Sequence, residues 1–325
     1  VNAAPRGVPF VRVTRGSLVE SVHEVAACAV DARGRLVLAY GDVDVPVFVR
    51  SAAKPFIAAA VAESGAMQRF GFETREIAIS AASHEGELEH VAAVRSMLGK
   101  IGLDERALRC GTGPGQASPA ENNCSGKHAA ILALCVHRGF ELAGYLEAAH
   151  PAQQIILSFC ARMVDAEPQA LPLAVDGCGI PVFATPLRRL ARAFARLATL
   201  ESLGDKDSAA LSTVRDAMAA EPFYVGGSAR FDSALIAATG GRIVAKAGAE
   251  GVHGDALRRE GLGLALKVID GARRAYPPAA MRLLDELGAL DGRERTQLAE
   301  WAVPDVRNVA GRTVGRIETK PAGVV

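Results

Sequence analysis

The stretch VFVRSAAKPFIAAAVAESGA (47–66) decides the fold, because strand character stops and helix character starts inside it. Val47, Phe48 and Val49 are β-branched or aromatic and suit an extended chain. From Ser51 onward Ala, Phe and Ile recur at helical spacing, with Ser51 placed as N-cap and Pro55 in the first turn, where its missing N–H does little harm. Working upstream, apolar and β-branched positions alternate through SVHEVAACAV (21–30) and RLVLAY (35–40), with Asp31-Ala-Arg-Gly34 as the turn between them. This predicts strands over 18–49 that open as a hairpin.

Downstream, the chain reads as mostly helical to about 220, with amphipathic stretches at 87–100, 125–138, 151–163 and 187–199. Two Gly-, Asn- and Pro-rich loops interrupt them, GTGPGQASPAENNCSGK (111–127) and DGCGIPVF (176–183), both stranger than simple connectors require. Strand character returns in GRIVAKAGAEGV (241–252), and TVGRIETK (313–320) closes the chain. The economical architecture is α+β: an antiparallel sheet from N- and C-terminal strands, covered by helices, with a central helical region. Residues 1–325 are expected to form a single catalytic unit, its sheet-containing part 10–60 and 225–325 and its mainly helical part 61–224. No G-x-G-x-x-G follows an expected strand, which disfavours a dinucleotide fold.

Composition narrows the function. The 325 residues carry 37 Lys+Arg against 36 Asp+Glu, a formal charge of +1, with no basic block, so neither a nucleic acid nor an anionic membrane is expected as partner. With 5% aromatic residues, stacking on bases is also poorly served. Apolar runs such as Phe56 to Ala62 fall far short of the roughly 18 residues of a membrane span. VNAAPRGVPFVRVTRG (1–16) lacks the apolar core of a secretory leader, so a cytoplasmic home and a small-molecule ligand are the expectations. Six cysteines spread over this length suggest thiols or metal ligands before disulfides.

Ser51-Ala-Ala-Lys54 is the most informative tetrapeptide. Positions i and i+3 share a helix face, so a neutral Lys54 amine could take the proton of the Ser51 hydroxyl. Alone, S-x-x-K more often means an N-cap followed by a solvated Lys. The apolar continuation Pro55-Phe56-Ile57-Ala58 argues for burial, which must lower the amine's pKa by roughly 3 units from about 10.4 for it to act as a base near neutrality. A second amine, Lys246 in IVAKAGAEG, ends an apolar strand, and Ala247 and Gly248 leave room for a substrate; otherwise such a Lys guards an edge. Ser83 in Ser83-His84-Glu85-Gly86-Glu87 adds a hydroxyl, or simply caps the helix from 87. Cys124 and Cys178, each in a Gly-rich loop, could share a zinc ion. Chemistry alone picks His128 as its nitrogen ligand, because binding through Lys127 requires stripping a proton at about 4–5 kcal/mol at neutral pH.

Taken together, RSAAKPF (50–56), SHEGELEHV (83–91), NNCSGKHAA (122–130), DGCGIPVFA (176–184) and AKAGAEGV (245–252) resemble the Rhizobium etli-type L-asparaginase, or asparaginase II, family over about residues 10–320. The resemblance implies a fold like the serine β-lactamases, penicillin-binding proteins and serine glutaminases, hydrolysis of L-asparagine to L-aspartate and ammonia, and a homodimer. It implies two Ser-Lys pairs, Ser51 with Lys54 and Ser83 with Lys246, and zinc on Cys124, Lys127 and Cys178 with a water as fourth ligand, overruling His128. It places Arg50, His84, Glu85, Asn123, Asp176 and Gly248 around the substrate. The β-lactamase-type signature is incomplete, since Ser83-His84-Glu85 and Lys246-Ala247-Gly248 replace its last two elements, which counts against antibiotic or peptidoglycan substrates. The expected chemistry has Ser51 attack, Lys54 accept its proton, and Ser83 with Lys246 protonate the departing ammonia. A glutaminase or penicillin-reactive hydrolase on the same fold, or a non-catalytic zinc-dependent binding protein, are the alternatives.

Overall fold

The computed structural model describes residues 5–319; the start of the N-terminal segment (1–4) and the end of TVGRIETK (320–325 onward from Lys320) lie outside the described residues. The strands are β1 (Val8–Arg15), β2 (Leu18–Asp31), β3 (Leu36–Tyr40), β4 (Pro46–Phe48), β5 (Leu173–Val175), β6 (Pro181–Pro186), β7 (Ile243–Gly248), β8 (Val252–Leu257), β9 (Leu262–Val268), β10 (Asp305–Arg307) and β11 (Thr313–Thr319). The expected hairpin is β2–β3, its turn tied by the Asp31 carboxylate, which accepts from the Arg33 and Arg35 N–H groups. An eight-stranded antiparallel sheet runs in the order β10-β11-β1-β2-β9-β8-β7, with β3 also beside β2. The two ends of the chain therefore meet where β1 pairs with β11.

Helices cover both faces of the sheet. Val25 to Val30 of β2 are buried without a break, as a strand between two layers must be. On one side the Leu187–Thr199 helix lies directly on β8 and β9: a Cβ at Gly254 would strike the Phe194 ring, and one at Gly263 the Ala191 carbonyl. On the other side lies the Tyr276–Glu286 helix, whose Tyr276 ring stacks on His253, the neighbour of Gly254 on β8, at 5.3 Å. The helical middle packs around the Lys54–Glu63 helix, in which every residue from Lys54 to Val61 is buried. A helix enclosed all round needs no polar face, and its Ala-rich sequence lets neighbours approach.

The helices Leu88–Lys100, Ser125–Arg138, Pro151–Met163 and Leu187–Thr199 match the amphipathic stretches. Three features differ from the sequence reading. Strands β8 and β9 follow β7 where only one strand was expected, and β1 and β10 were passed over. The 176–183 loop is the turn and first strand residues of a hairpin: β5 and β6, from the helical region, join β4 in a second, three-stranded sheet. Ser51 does not cap the helix; it sits in a 3-10 turn, Arg50–Ala53, and the helix begins at Lys54 with Ala53 at the N-cap and no side-chain cap.

Candidate active site

The junction between β4 and the Lys54–Glu63 helix is a sharp bend. Arg50 adopts φ +49°, a left-handed conformation that costs a non-glycine residue on the order of 1–2 kcal/mol. The bend is held from two sides by the small sheet. Val49 N–H donates to the Phe183 carbonyl at 3.1 Å, and Arg50 Nε donates to Asp176 Oδ1 at 2.6 Å. Ser51 is thus presented on a turn. Gly248, at the end of β7, lies against the same turn: a Cβ there would sit 3.0 Å from the Val49 carbonyl oxygen and 3.1 Å from Ala52 N. Glycine lets β7 approach the bend without crowding it, and Lys246 and Ser51 line the same pocket.

Lys54 is 1% exposed, and its amine reaches Ser83. Nζ donates to Ser83 Oγ at 3.1 Å, to the Asn123 carbonyl at 3.1 Å and to the Ala82 carbonyl. Among the described residues no hydrogen bond joins Lys54 to Ser51, nor Lys246 to Ser83; the hydrogen bond within this group of four is Lys54–Ser83. Lys54 follows Ser51 by one 3-10 turn, its N–H donating to the Ser51 carbonyl, and its amine is taken up by Ser83 and by the Ala82 and Asn123 carbonyls. Ser83 is placed by its own N–H, which donates to the Val225 carbonyl at 3.0 Å, while the following helix is capped by Glu87. Burial pushes the Lys54 pKa down against the opposing pull of Cys124, and Lys127 acts with burial.

Lys246 is fully buried and donates to the Ala247 carbonyl at 2.7 Å and to Asp232 Oδ2 at 3.4 Å. Burial lowers its pKa to about 8; Asp232 opposes the shift and Lys54 adds to it. Ser51, Ser83, Asn123, Lys246 and Gly248 line one pocket of about 300 Å³, with Arg230, Glu250 and Arg273 contributing charged groups. Two hydroxyls and a buried amine of depressed pKa at one cavity can perform nucleophilic and proton-transfer chemistry.

The proposed metal ligands also meet. Cys124 and Cys178 are buried, and Lys127 Nζ donates to Cys178 Sγ at 2.9 Å. A hydrogen bond from the Cys178 thiol, with Lys127 and Lys54 nearby, holds Cys124 well below the usual thiol range, while Cys178 is pushed up by the same bond. Burial alone would lower Lys127, but the Cys124 and Cys178 sulfurs outweigh it and the pKa rises. Among the described residues no three His, Cys, Asp or Glu side chains form a metal cage; the third donor beside the two sulfurs is the lysine nitrogen. His128 Nδ1 lies 2.8 Å from Tyr145 Oη, its buried Nε2 has no hydrogen-bond partner among the described residues, and it does not group with Cys124 and Cys178 there.

Of the residues placed around the substrate, Asn123 and Gly248 line the pocket. Arg50 and Asp176 pair with each other and border a separate, mostly apolar cavity behind Ser51. Glu85 is engaged by Arg230 in an ion pair at 2.8 Å. His84 is 1% exposed, bonded to Ser125 Oγ at 2.9 Å and stacked on His90, so it is a packing residue here; burial holds its pKa well below the usual imidazole range. Sequence reasoning missed Asp232, which pairs with Lys246, and His253 and Asp255, buried behind it on the neighbouring strand. The available signal was His253-Gly254-Asp255, two charged residues at i and i+2 in an otherwise apolar segment.

Among solved structures, the chain is similar to Mglu (18% identity, TM-score 0.39, covering 82% of this chain and 62% of that one). It is also similar to a β-lactamase, Mb2281c, from Mycobacterium bovis (13%, TM-score 0.45, 81% and 94%), and to a putative β-lactamase from Bacteroides dorei DSM 17855 (14%, TM-score 0.42, 77% and 86%). The chain thus spans under two thirds of the length of Mglu. No curated protein matches it. The L-asparaginase II family matches residues 11–319, nearly the whole of the described chain and every element of the site above, and the chain belongs to that family.

Proposed function

We propose that the protein hydrolyses the side-chain amide of L-asparagine through a serine ester. The observation that carries this reading is the buried Lys54 amine 3.1 Å from Ser83 Oγ, at a pocket that Ser51 and Lys246 also line. Ser51 Oγ has no hydrogen-bond partner among the described residues and is free to attack the amide carbon. Its proton leaves toward the lysine nitrogens. The Lys54–Ser83 contact works in both directions: an ammonium donates to the hydroxyl oxygen, and a neutral amine accepts from the hydroxyl. Ser83 can therefore hand a proton to the departing nitrogen while Lys54 restores it, with Lys246 as the second amine in reach of the pocket. Water then cleaves the β-aspartyl ester and frees Ser51. The charged groups Arg230, Glu250 and Arg273 suit the carboxylate and ammonium of a free amino acid.

A zinc ion fits Cys124, Lys127 and Cys178, because two sulfurs and a nitrogen already converge there, buried, with one sulfur favouring the thiolate. Bound there, the metal would supply a positive charge and a fixed geometry to the two loops. Lys127 would have to release the proton it now donates to Cys178. The test is ammonia release from L-asparagine and from L-glutamine by the purified chain, with Ser51→Ala and Ser83→Ala beside it. Ser51→Ala should release none, and Ser83→Ala should be slower by about 10²–10⁴-fold. Full activity in Ser51→Ala ends its assignment as nucleophile, and preference for glutamine overturns the substrate.

A further inference from the structure

Lys246 lies at the head of a row of buried ionisable groups. Asp232 Oδ2 accepts from the Ala247 N–H at 2.7 Å and lies 3.4 Å from Lys246 Nζ, so the carboxylate caps the free edge of β7. Its other oxygen, Oδ1, faces His253 Nδ1 at 3.7 Å, an ion-pair distance longer than a hydrogen bond, and neither buried atom has a hydrogen-bond partner among the described residues. His253 Nε2 lies 2.8 Å from Asp255 Oδ1. Side chains of Asp232, His253, Asp255 and Lys246 are at most 6% exposed. In the β7–β8 register Lys246 is opposite Gly254 and Ala247 opposite His253, so Lys246 and His253 leave the sheet on opposite faces. Asp232, standing off the edge, lies within 4 Å of both.

A carboxylate at each ring nitrogen selects the doubly protonated form of His253, since a neutral imidazole would turn a lone pair toward one of them. Asp232 then divides its charge between two cations. We propose that Asp232, His253 and Asp255 form a buried relay that positions the Lys246 amine and sets the pH at which it gives up its proton. The inference rests on the reading of Lys246 as a proton-transfer group. The other ionisable groups facing these four are Lys54 from its helix, Cys124 at longer range, and Tyr276, which stacks on His253 and is itself hydrogen-bonded by Arg273. At His253 burial lowers the pKa and the Asp255 and Asp232 carboxylates outweigh it, so the pKa rises; burial raises Asp255, and His253 opposes that shift.

The relay predicts shifts of opposite sign. His253→Gln, or Asp255→Asn, leaves the Asp232 charge to Lys246 alone and raises the amine's pKa; Asp232→Asn removes that charge and lowers it. Each shift should be about one pH unit. Two readouts separate the relay from the reaction. Lysine labelled with ¹³C at Cε, in a chain of only seven lysines, titrates Lys246 directly once Lys246→Arg identifies its signal. The alkaline limb of kcat for asparagine reports the same group when Lys246 acts as a proton donor. Opposite movements of the Lys246 signal establish the relay, and a Lys246 signal unmoved in the folded variants overturns it. If the signal moves while the kcat limb stays, the relay stands and the role of Lys246 in the reaction falls. If His253→Gln fails to fold, Asp255→Asn gives the same sign and decides.

Discussion

Replacing Lys246 with Met tests whether the pocket's amine is held at a cost to the fold. The side chains are similar in length, but the amine is gone. In the wild type burial lowers the Lys246 pKa from 10.5 in the unfolded chain to about 8 in the folded one. A depressed lysine pKa means that the native state binds fewer protons than the unfolded state between those two values, so stability rises with pH across that window. Below pH 8 the amine is charged in both states and the full penalty is present. The depression corresponds to about 3 kcal/mol, at roughly 1.4 kcal/mol per pH unit. The difference in unfolding free energy between Lys246→Met and the wild type should therefore be larger, in favour of the variant, at pH 7 than near pH 10.5, by about 3 kcal/mol. Urea unfolding of both proteins at steps across that range measures it, and ionisable groups away from the Asp232–His253–Asp255 row cancel in the difference. Two curves that run parallel within about 0.5 kcal/mol refute the reasoning, because they leave the amine with its ordinary pKa and no reason to exchange protons near neutrality. The same variant should release no ammonia, so stability and activity should move in opposite directions.

Gly263→Ala should lower stability by about 2–3 kcal/mol or more, because the new methyl meets the backbone of the Leu187–Thr199 helix at Ala191 and Ala195; an unchanged melting temperature refutes that close approach. Asp176→Asn removes the ionic partner that steadies Arg50 in its left-handed conformation, and should lower kcat/KM for asparagine by about 10²-fold through a looser Ser51 turn. Wild-type kinetics in that variant would show that the bend stands without the ion pair. Chelation should raise KM for asparagine more than it lowers kcat, and a fall confined to kcat would make the metal part of the chemistry. By metal analysis, Cys178→Ser should lose zinc while His128→Asn retains it; loss in His128→Asn reinstates the imidazole as ligand.

Much of this arrangement was legible because it depends on local pattern. The four long amphipathic helices and the β2–β3 hairpin follow from periodicities of 3.6 and 2 that no distant contact overrides. The site residues were legible as types: Ser51, Lys54, Ser83 and Lys246 stand in short blocks flanked by small residues, and the structure gathers Ser51, Ser83 and Lys246 at one cavity with Lys54 beneath. Strands β5 and β6 were not legible: β5 has three residues and no period to read, β6 is bounded by Pro181 and Pro186 and buried through its middle without alternation, and the turn between them looks like any Gly-rich loop.

The partners were harder to read than the residues, and the reason is physical. A spacing argument puts two groups on one side of an element and says nothing of what else lies within reach of a long side chain. Lys54 follows Ser51 by one 3-10 turn, yet its amine extends across a helix interface to residues 82, 83 and 123. The lysine's burial could be inferred from the apolar run that follows it; the identity of its acceptors could not, because those acceptors include two backbone carbonyls that any sequence would supply. Asp232 shows the same limit from the other side. Nothing in FDSALIAA marks an aspartate that caps a strand edge, yet that edge is where a single carboxylate can meet amines and imidazole from both faces of a sheet. A buried amine with a pKa near neutrality requires such a group close enough to hold it and shared widely enough not to hold it too tightly, and only the assembled sheet edge provides both.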